Sequence, residues 1–357
     1  MQRNELIELL SLPEGPALKA LHERAYRVKT EHVGKTVYFR GLIEFSNICS
    51  KNCYYCGIRG ENSKVRRFCM TEDEIVAGAV WIWKEGYGSA VLQSGERSDP
   101  DFINFVERVL KRIMKETSNG LAVTLCVGEQ TRDTYRRWYD AGAKRYLLRI
   151  ETSTESFYGT LHPSDHSYRE RVRCLETLRD MGYMTGTGVM IGLPGQTAEH
   201  LADDILFFKK MDVDMIGMGP YIPHEDTPLA AKARSGYDPK RNLALGLKMI
   251  AATRLTLPDA NIAATTALQA LDPRGRELGL MAGANVIMPN VTETRYRSAY
   301  QLYEGKPCLD ENASMCRGCL EGRIKGIGEE IGYFQTGDPN HYFMRRAVQT
   351  GKQGDNK

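Results

Sequence analysis

The chain has 357 residues, 42% hydrophobic and 26% charged, enough for one large α/β domain or two ordinary ones. Its net charge is only +3, which lends nothing to a nucleic-acid groove, and its longest apolar stretches, such as 243–257, are broken by charges at Lys248 and Arg254, so no membrane span is read. Its 9 cysteines are an odd number and follow an N-terminus that mixes Arg3, Glu5 and Glu8 among leucines; this reads as a cytoplasmic protein whose thiols serve metal rather than disulfides.

In chain order, a helical segment (1–35) comes first. Strands are then predicted at 37–45, 90–94, 122–126, 145–151, 185–191, 215–219, 261–265 and 284–288. Between them lie segments of helical period at 71–85, 101–116, 131–141, 168–181, 198–211, 240–255 and 274–281. Gly86, Gly142 and Gly182 follow helix ends, where a left-handed residue closes the last turn. Eight such units in one unbroken run favour an α/β fold of the (β/α)8 TIM-type barrel class over a doubly wound open sheet. The barrel is assigned to 36–300, and a cysteine-containing C-terminal extension to 301–357. The polar residues gather at the carboxyl ends of the predicted strands, the face on which barrels carry their sites.

After the first strand comes the run Cys49-Ser50-Lys51-Asn52-Cys53-Tyr54-Tyr55-Cys56, a C-x3-C-x2-C spacing. Three thiolates are one too few for a closed tetrahedral zinc site or for all four irons of a cubane cluster. An iron–sulfur cluster held this way keeps one iron open for a non-protein ligand; a zinc knuckle is the rival, and the nearest histidines, His32 and His162, lie on other elements. On the fourth strand, period-two alternation puts Leu147, Arg149 and Glu151 on one face, with the two charges about 6–7 Å apart along the strand. They point into the barrel as a structural ion pair or as ligands of bound groups. Thr265 and Thr266 end the seventh strand as hydroxyl donors or ordinary strand residues. Gly192-Leu193-Pro194-Gly195 is a tight turn at the least. Cys69, Cys126 and Cys174 are isolated and read as small buried hydrophobes. A second group, Cys308, Cys316 and Cys319, has C-x7-C-x2-C spacing in a segment without an apolar stripe, and suggests an auxiliary [2Fe-2S] or [4Fe-4S] cluster, with zinc or idle thiols as the alternative.

The first cysteine run, with Tyr55 in the aromatic place of C-x3-C-x-aromatic-C, resembles the signature of the radical S-adenosylmethionine (SAM) superfamily. The resemblance implies a [4Fe-4S] cluster on Cys49, Cys53 and Cys56, with SAM on the open iron and cleavage to a 5′-deoxyadenosyl radical. It further implies that Gln93-Ser94-Gly95-Glu96 grips the SAM amino group and that 188–195 meets the adenosine. Glu151 would take the ribose hydroxyls or the amino group, and Arg171 the SAM carboxylate, with Arg169 and Arg173 left to solvent.

The segments 91–96, 146–152, 192–197, 222–229, 264–267 and 285–290 resemble, more narrowly, the HydE family of [FeFe]-hydrogenase maturases. That likeness implies an inner pocket of Ser94, Thr124, Arg149, Thr265, Thr266, Met288 and Tyr303 around an organometallic substrate, an iron–carbonyl–cyanide complex carrying cysteine. The implied partners are the companion maturases HydG, which would supply the complex, and HydF, which would receive the product, with ferredoxin or flavodoxin as reductant. A monomer is expected, with no nucleic-acid or membrane partner. Three rivals stand beside it. A biotin synthase needs inward cysteines on several strands, where Gln93 and Met190 stand instead. A methylornithine synthase leaves the terminal cysteines without a task, and an electron-transfer protein leaves the Arg149–Glu151 pair unexplained.

Overall fold

A computed structural model describes residues 1–233 and 236–354. Its strands are β1 (Thr36–Ser46), β2 (Ser89–Ser94), β3 (Ala122–Cys126), β4 (Arg145–Leu147), β5 (Met184–Thr187), β6 (Met190–Ile191), β7 (Met215–Ile216), β8 (Gly219–Pro220), β9 (Asn261–Ile262), β10 (Val286–Ile287) and β11 (Glu330–Ile331). Parallel pairing runs β10-β1-β2-β3-β4-β5-β7-β9, and a parallel bridge between Ala263 and Val286 brings the last strand back to the first, so the ring closes. This is the TIM-type barrel expected of eight strand–helix units.

The seven predicted barrel helices are present, among them Glu72–Lys84, Pro100–Glu116, Tyr168–Asp180, Ala198–Met211 and Pro239–Thr256. Their starts carry the chemistry a helix end needs: the Thr71, Asp99, Thr131 and Ser167 side chains each accept a backbone N–H of the first turn. Their apolar faces pack on the ring in one continuous core that includes Ile75, Leu110, Trp138, Leu178 and Phe208. Two N-terminal helices, Arg3–Ser11 and Pro16–His32, lie against Pro239–Thr256. The Lys248 ammonium donates to the Leu10 (3.1 Å) and Leu12 (2.6 Å) carbonyls, closing the first of these helices at its negative end.

Five of the predicted strands are shorter or more broken than the alternation predicts, three of them for a common reason. The predicted strand 145–151 keeps continuous ladder pairing over Arg145–Leu147 and, further on, a single parallel bridge from Glu151 to Val189. Beyond it the Ile150 N–H is taken by the Thr187 hydroxyl (3.2 Å), and Glu151 turns to φ 64°. The predicted strands 185–191 and 215–219 each split in two, with β6 and β8 forming a separate pair. At the break Gly188 packs so tightly on the Gly217 carbonyl that any side chain there would clash. Side-chain hydrogen bonds and a backbone contact thus interrupt the ladder on the side of the ring that faces the site.

The segment after 320, part of the extension assigned to 301–357, closes the opposite end of the barrel. β11 pairs in parallel with the start of β1, and the following residues run under the ring. The Gly337 carbonyl accepts from Arg40 (3.3 Å) and Asn261 (2.8 Å), and Arg145 donates to the Thr336 carbonyl (2.7 Å) and to Asp338 (3.1 Å). Beyond it, His341 lies between Asp259 (3.1 Å) and Asp212 (2.7 Å).

The hydrogen bond to Asp259, against the opposing effect of burial, raises His341 from 6.5 to about 9. Between those values the unfolded chain has released a proton that the folded chain still holds, so stability falls as pH rises. Discounted for partial exposure, this contributes about 1–2 kcal/mol. The urea midpoint of the wild type is therefore expected to fall between pH 6.5 and 9 by more than that of His341→Gln. Parallel profiles would show that His341 is not held charged.

Candidate active site at the carboxyl face of the barrel

The carboxyl ends of the strands open on a cavity of about 310 Å³, lined by residues from β1, β2, β3, the 147–151 segment, β6, β8 and the 300–306 segment. Cys49, Cys53 and Cys56 stand together on its wall. The loop that carries them is organised from outside. The Arg67 guanidinium donates to the Asn47 (2.8 Å), Ile58 (2.7 Å), Arg59 (2.6 Å), Gly60 (3.1 Å) and Asn62 (3.0 Å) carbonyls. The Asn52 N–H reaches His166 Nε2 at 3.1 Å, and the Tyr54 N–H the Leu161 carbonyl at 2.9 Å. His162 also approaches the loop, but its ring is committed. Its Nδ1 must donate to the Tyr158 carbonyl (2.9 Å), which leaves Nε2 to accept from the Tyr55 hydroxyl (3.2 Å). Burial drives His162 down to about 3, so it stays neutral in this role.

The donor set fits a cluster with one open iron. Cys49 Sγ accepts the Lys51 (3.4 Å) and Glu96 (3.3 Å) backbone N–H groups, an arrangement that favours a thiolate. Burial pushes the Cys53 thiol up to about 12 and the Cys56 thiol well above its ordinary value, so it takes bound metal to keep both ionised. Neither His162 nor His166 is free to serve as a fourth ligand. The β2 tip is moulded to the loop: Gly95 packs against the Ile48 carbonyl and Cys49 Cβ with no room for a side chain, and a side chain at Gly128 would displace the Glu96 carboxylate.

Beside the cysteines lies a set of paired charges. Glu96 is within 3.4 Å of Lys51 and 3.6 Å of Arg171, and Arg171 is also 2.7 Å from Glu129. Arg149 Nη2 is 3.0 Å from Glu151 Oε2, yet its N–H is directed to the Val189 carbonyl (3.0 Å), and Glu151 Oε2 has no aligned donor among the described residues. Burial raises the Glu151 carboxyl, opposed by Arg149 and Arg171. Both features sit on a residue with a left-handed backbone, a strained conformation of the kind held at binding sites.

Gln93, Ser94, Gly95, Glu96, Tyr55, Arg149, Glu151, Arg171, Thr265, Thr266, Met288 and Tyr303 all line the cavity. Thr265 and Thr266 do so from the start of the short helix Thr266–Leu271 rather than from a strand. Thr124 lies a layer deeper, in a narrow space shared with Arg40, Leu147, Asn261 and Met288, and its buried hydroxyl has no partner among the described residues. Cys126, read as core filler, instead lines the cavity. Arg169 and Arg173 have side chains 84% and 72% exposed. The sequence reading missed Glu44, Lys51, Tyr300 and Lys306 on the cavity wall, and Glu129 behind it. Of these, Lys51 stands inside the cysteine run, Glu129 at the polar end of the third strand, and Glu44 at period-two spacing from Leu42 on β1.

The terminal cysteines stand apart from this cavity. Donor atoms of Cys308, Glu311 and Cys316 lie within 4.8 Å of one another, while Cys319 is exposed and outside that group. Arg297 holds the segment by donating to the Cys308 (2.7 Å) and Glu311 (2.5 Å) carbonyls. Two thiols and a carboxylate thus form the compact part of the expected auxiliary site.

Among known proteins, the pattern of the radical SAM superfamily matches residues 43–208. The chain is 46% identical over 331 residues, 92% of each protein, to the [FeFe] hydrogenase maturase subunit HydE of Thermotoga maritima. It is 30% identical over 288 residues, 80% of this chain and 78% of the relative, to 3-methylornithine synthase of Methanosarcina barkeri. In three dimensions it is similar to methylornithine synthase (TM-score 0.79, 25% identity, 93% of this chain and 94% of the other). The hydrogenase maturase HydG of Carboxydothermus hydrogenoformans shares the fold at 21% identity, with TM-score 0.77 over 93% of this chain and 76% of the other.

Proposed function

The chain belongs to the radical SAM superfamily and, within it, to the HydE family of [FeFe]-hydrogenase maturases, and from that premise we propose that it acts in assembling the di-iron subcluster of the hydrogenase. The observation that carries this reading is 46% identity over 92% of both chains. Its substrate would be a small iron–carbonyl–cyanide complex bearing cysteine. HydG as its source, HydF as the acceptor of the product and a ferredoxin or flavodoxin as reductant complete the proposal.

Each side chain takes a role that its surroundings support. Cys49, Cys53 and Cys56 would hold the [4Fe-4S] cluster. The amino-acid end of SAM is a zwitterion, and Glu96 and Arg171, 3.6 Å apart, offer its complement, with ammonium to Glu96 and carboxylate to Arg171. Glu151, with its unaligned oxygen, would accept from the ribose hydroxyls. Once bound, cluster and SAM together supply a 5′-deoxyadenosyl radical. Across the cavity, Arg149 would balance an anionic complex and Thr265 donate to it, while Met288 and Tyr303 exclude water from it. Cys308, Cys316 and Cys319 would carry an auxiliary cluster at the periphery.

The test is activation of [FeFe]-hydrogenase in an extract that contains every maturase except HydE. Adding the reconstituted chain is expected to restore hydrogen evolution, and 5′-deoxyadenosine should accumulate with it. Nucleoside formation without hydrogenase activation would favour the methylornithine synthase reading.

A further inference from the structure

Lys306 lies outside the cysteine loop, the charge pairs and the set of residues that the family likeness assigns, yet its side chain is only 7% exposed on the wall of the cavity. Its ammonium is 2.5 and 2.7 Å from the two oxygens of Glu44 and 3.0 Å from the Tyr300 carbonyl. An ammonium has three N–H donors, and all three are used. Glu44 is 2% exposed and equally committed: its Oε2 also accepts from Asn290 Nδ2 at 3.0 Å, and its N–H donates to the Thr292 hydroxyl at 2.8 Å. The pair thus ties the inward face of β1 to the segment 300–306, from which Tyr300, Leu302 and Tyr303 line the cavity. Lys306 also lies 5.2 Å from the centre of the Tyr300 ring, whose hydroxyl accepts from Gln93 at 3.2 Å.

We propose that Lys306 is a positioning residue that binds no substrate itself: its neutral, saturated pair with Glu44 holds the 300–306 segment so that Tyr300 and Tyr303 form the cavity wall beside the end of the cysteine loop, where the Gly57 N–H donates to the Leu302 carbonyl at 3.0 Å. Buried charges without free donors or acceptors have nothing left to offer a ligand, but they set geometry strongly, because any displacement of the segment separates opposite charges in a low dielectric. The segment meets the end of the cysteine loop through the Gly57 N–H on the Leu302 carbonyl, while Arg67, His166 and Leu161 anchor the rest of that loop.

The inference rests on the radical SAM reading but not on the identity of the substrate, and two measurements keep them separable. Hydrogen exchange followed by mass spectrometry on the full chain needs no substrate. In Lys306→Met, amides of 300–308 are expected to exchange at least about tenfold faster than in the wild type, with the rest of the barrel unchanged. In the hydrogenase activation assay, Lys306→Met is expected to lose about tenfold or more in rate, with a smaller loss in SAM cleavage. Lys306→Arg, which keeps a cation on Glu44, should resemble the wild type in all three measurements. If Lys306→Met does not fold, Glu44→Gln/Lys306→Met removes both charges together and should show the same local acceleration. Wild-type exchange over 300–308 in either Met variant overturns the proposal. So does a Lys306→Arg protein with protected 300–308 amides and a tenfold loss of activation, which would mean that the ammonium itself touches substrate.

Discussion

Cys53→Ala is expected to reduce 5′-deoxyadenosine formation by at least about 10³-fold, a loss of roughly 4 kcal/mol or more in transition-state terms. The loop offers three thiols to the cluster, and with one removed two irons lose protein support rather than one. Cys53 is the central residue of C-x3-C-x2-C, and its thiol, raised by burial, also feels the Arg171 charge. The loop itself does not need the thiol to fold. Arg67 holds it through five carbonyls, and Tyr54 and Asn52 are tied to Leu161 and His166. The variant should therefore keep the circular dichroism spectrum of the wild type while losing cluster iron and nucleoside formation. Nucleoside produced at the wild-type rate from dithionite-reduced protein would remove the three-thiol cluster from the account.

Glu329→Ala is expected to cost about 3–5 kcal/mol of stability, the range for stranding one partner of a buried pair. The Lys29 and Glu329 side chains are both fully buried, and Lys29 also reaches the Leu280 carbonyl at 3.5 Å. This pair joins the helix Pro16–His32 to the residue just before β11, so it fastens the strap that closes the lower end of the barrel. Burial, opposed by Glu329, lowers the Lys29 ammonium to about 8 from 10.5. Without that carboxylate, burial and the nearby Arg254 charge act on Lys29 unopposed, and its pKa falls further below the unfolded value. The unfolded chain then binds more protons than the folded one through the neutral range, so the deficit of the variant should shrink as pH rises. Lys29→Met/Glu329→Gln, which removes the pair together, should recover most of the loss. A single variant as stable as the wild type in urea would show that the pair carries no net stabilisation.

How much could be read in advance depends on the range of the interaction. The helices between strands were legible because their periodicity and caps are local, as at Thr71 with Glu74 and at Ser167 with Glu170. β1, β2 and β3 were legible because their apolar runs pair along most of their length. The later strands were overextended in the reading because Thr187, Gly188 and the turn of Glu151 break the ladder through contacts between separate units. In the site, the cysteine spacing and the Arg149–Glu151 alternation could be read as patterns. No pattern announces Lys306, which finds Glu44 across 262 positions, or the pairing of Glu129 with Arg171 from another strand end.

The sequence alone determined the barrel class, the three-thiol loop and the face of the ring on which chemistry is placed. These follow from residue spacing within single elements, which backbone geometry converts directly into direction. The tertiary structure decided where the ladder breaks, which carboxylate each buried cation meets and how the segment after 320 closes the barrel. Those outcomes are set by partners far apart in the chain, whose approach only the packed ring can bring about.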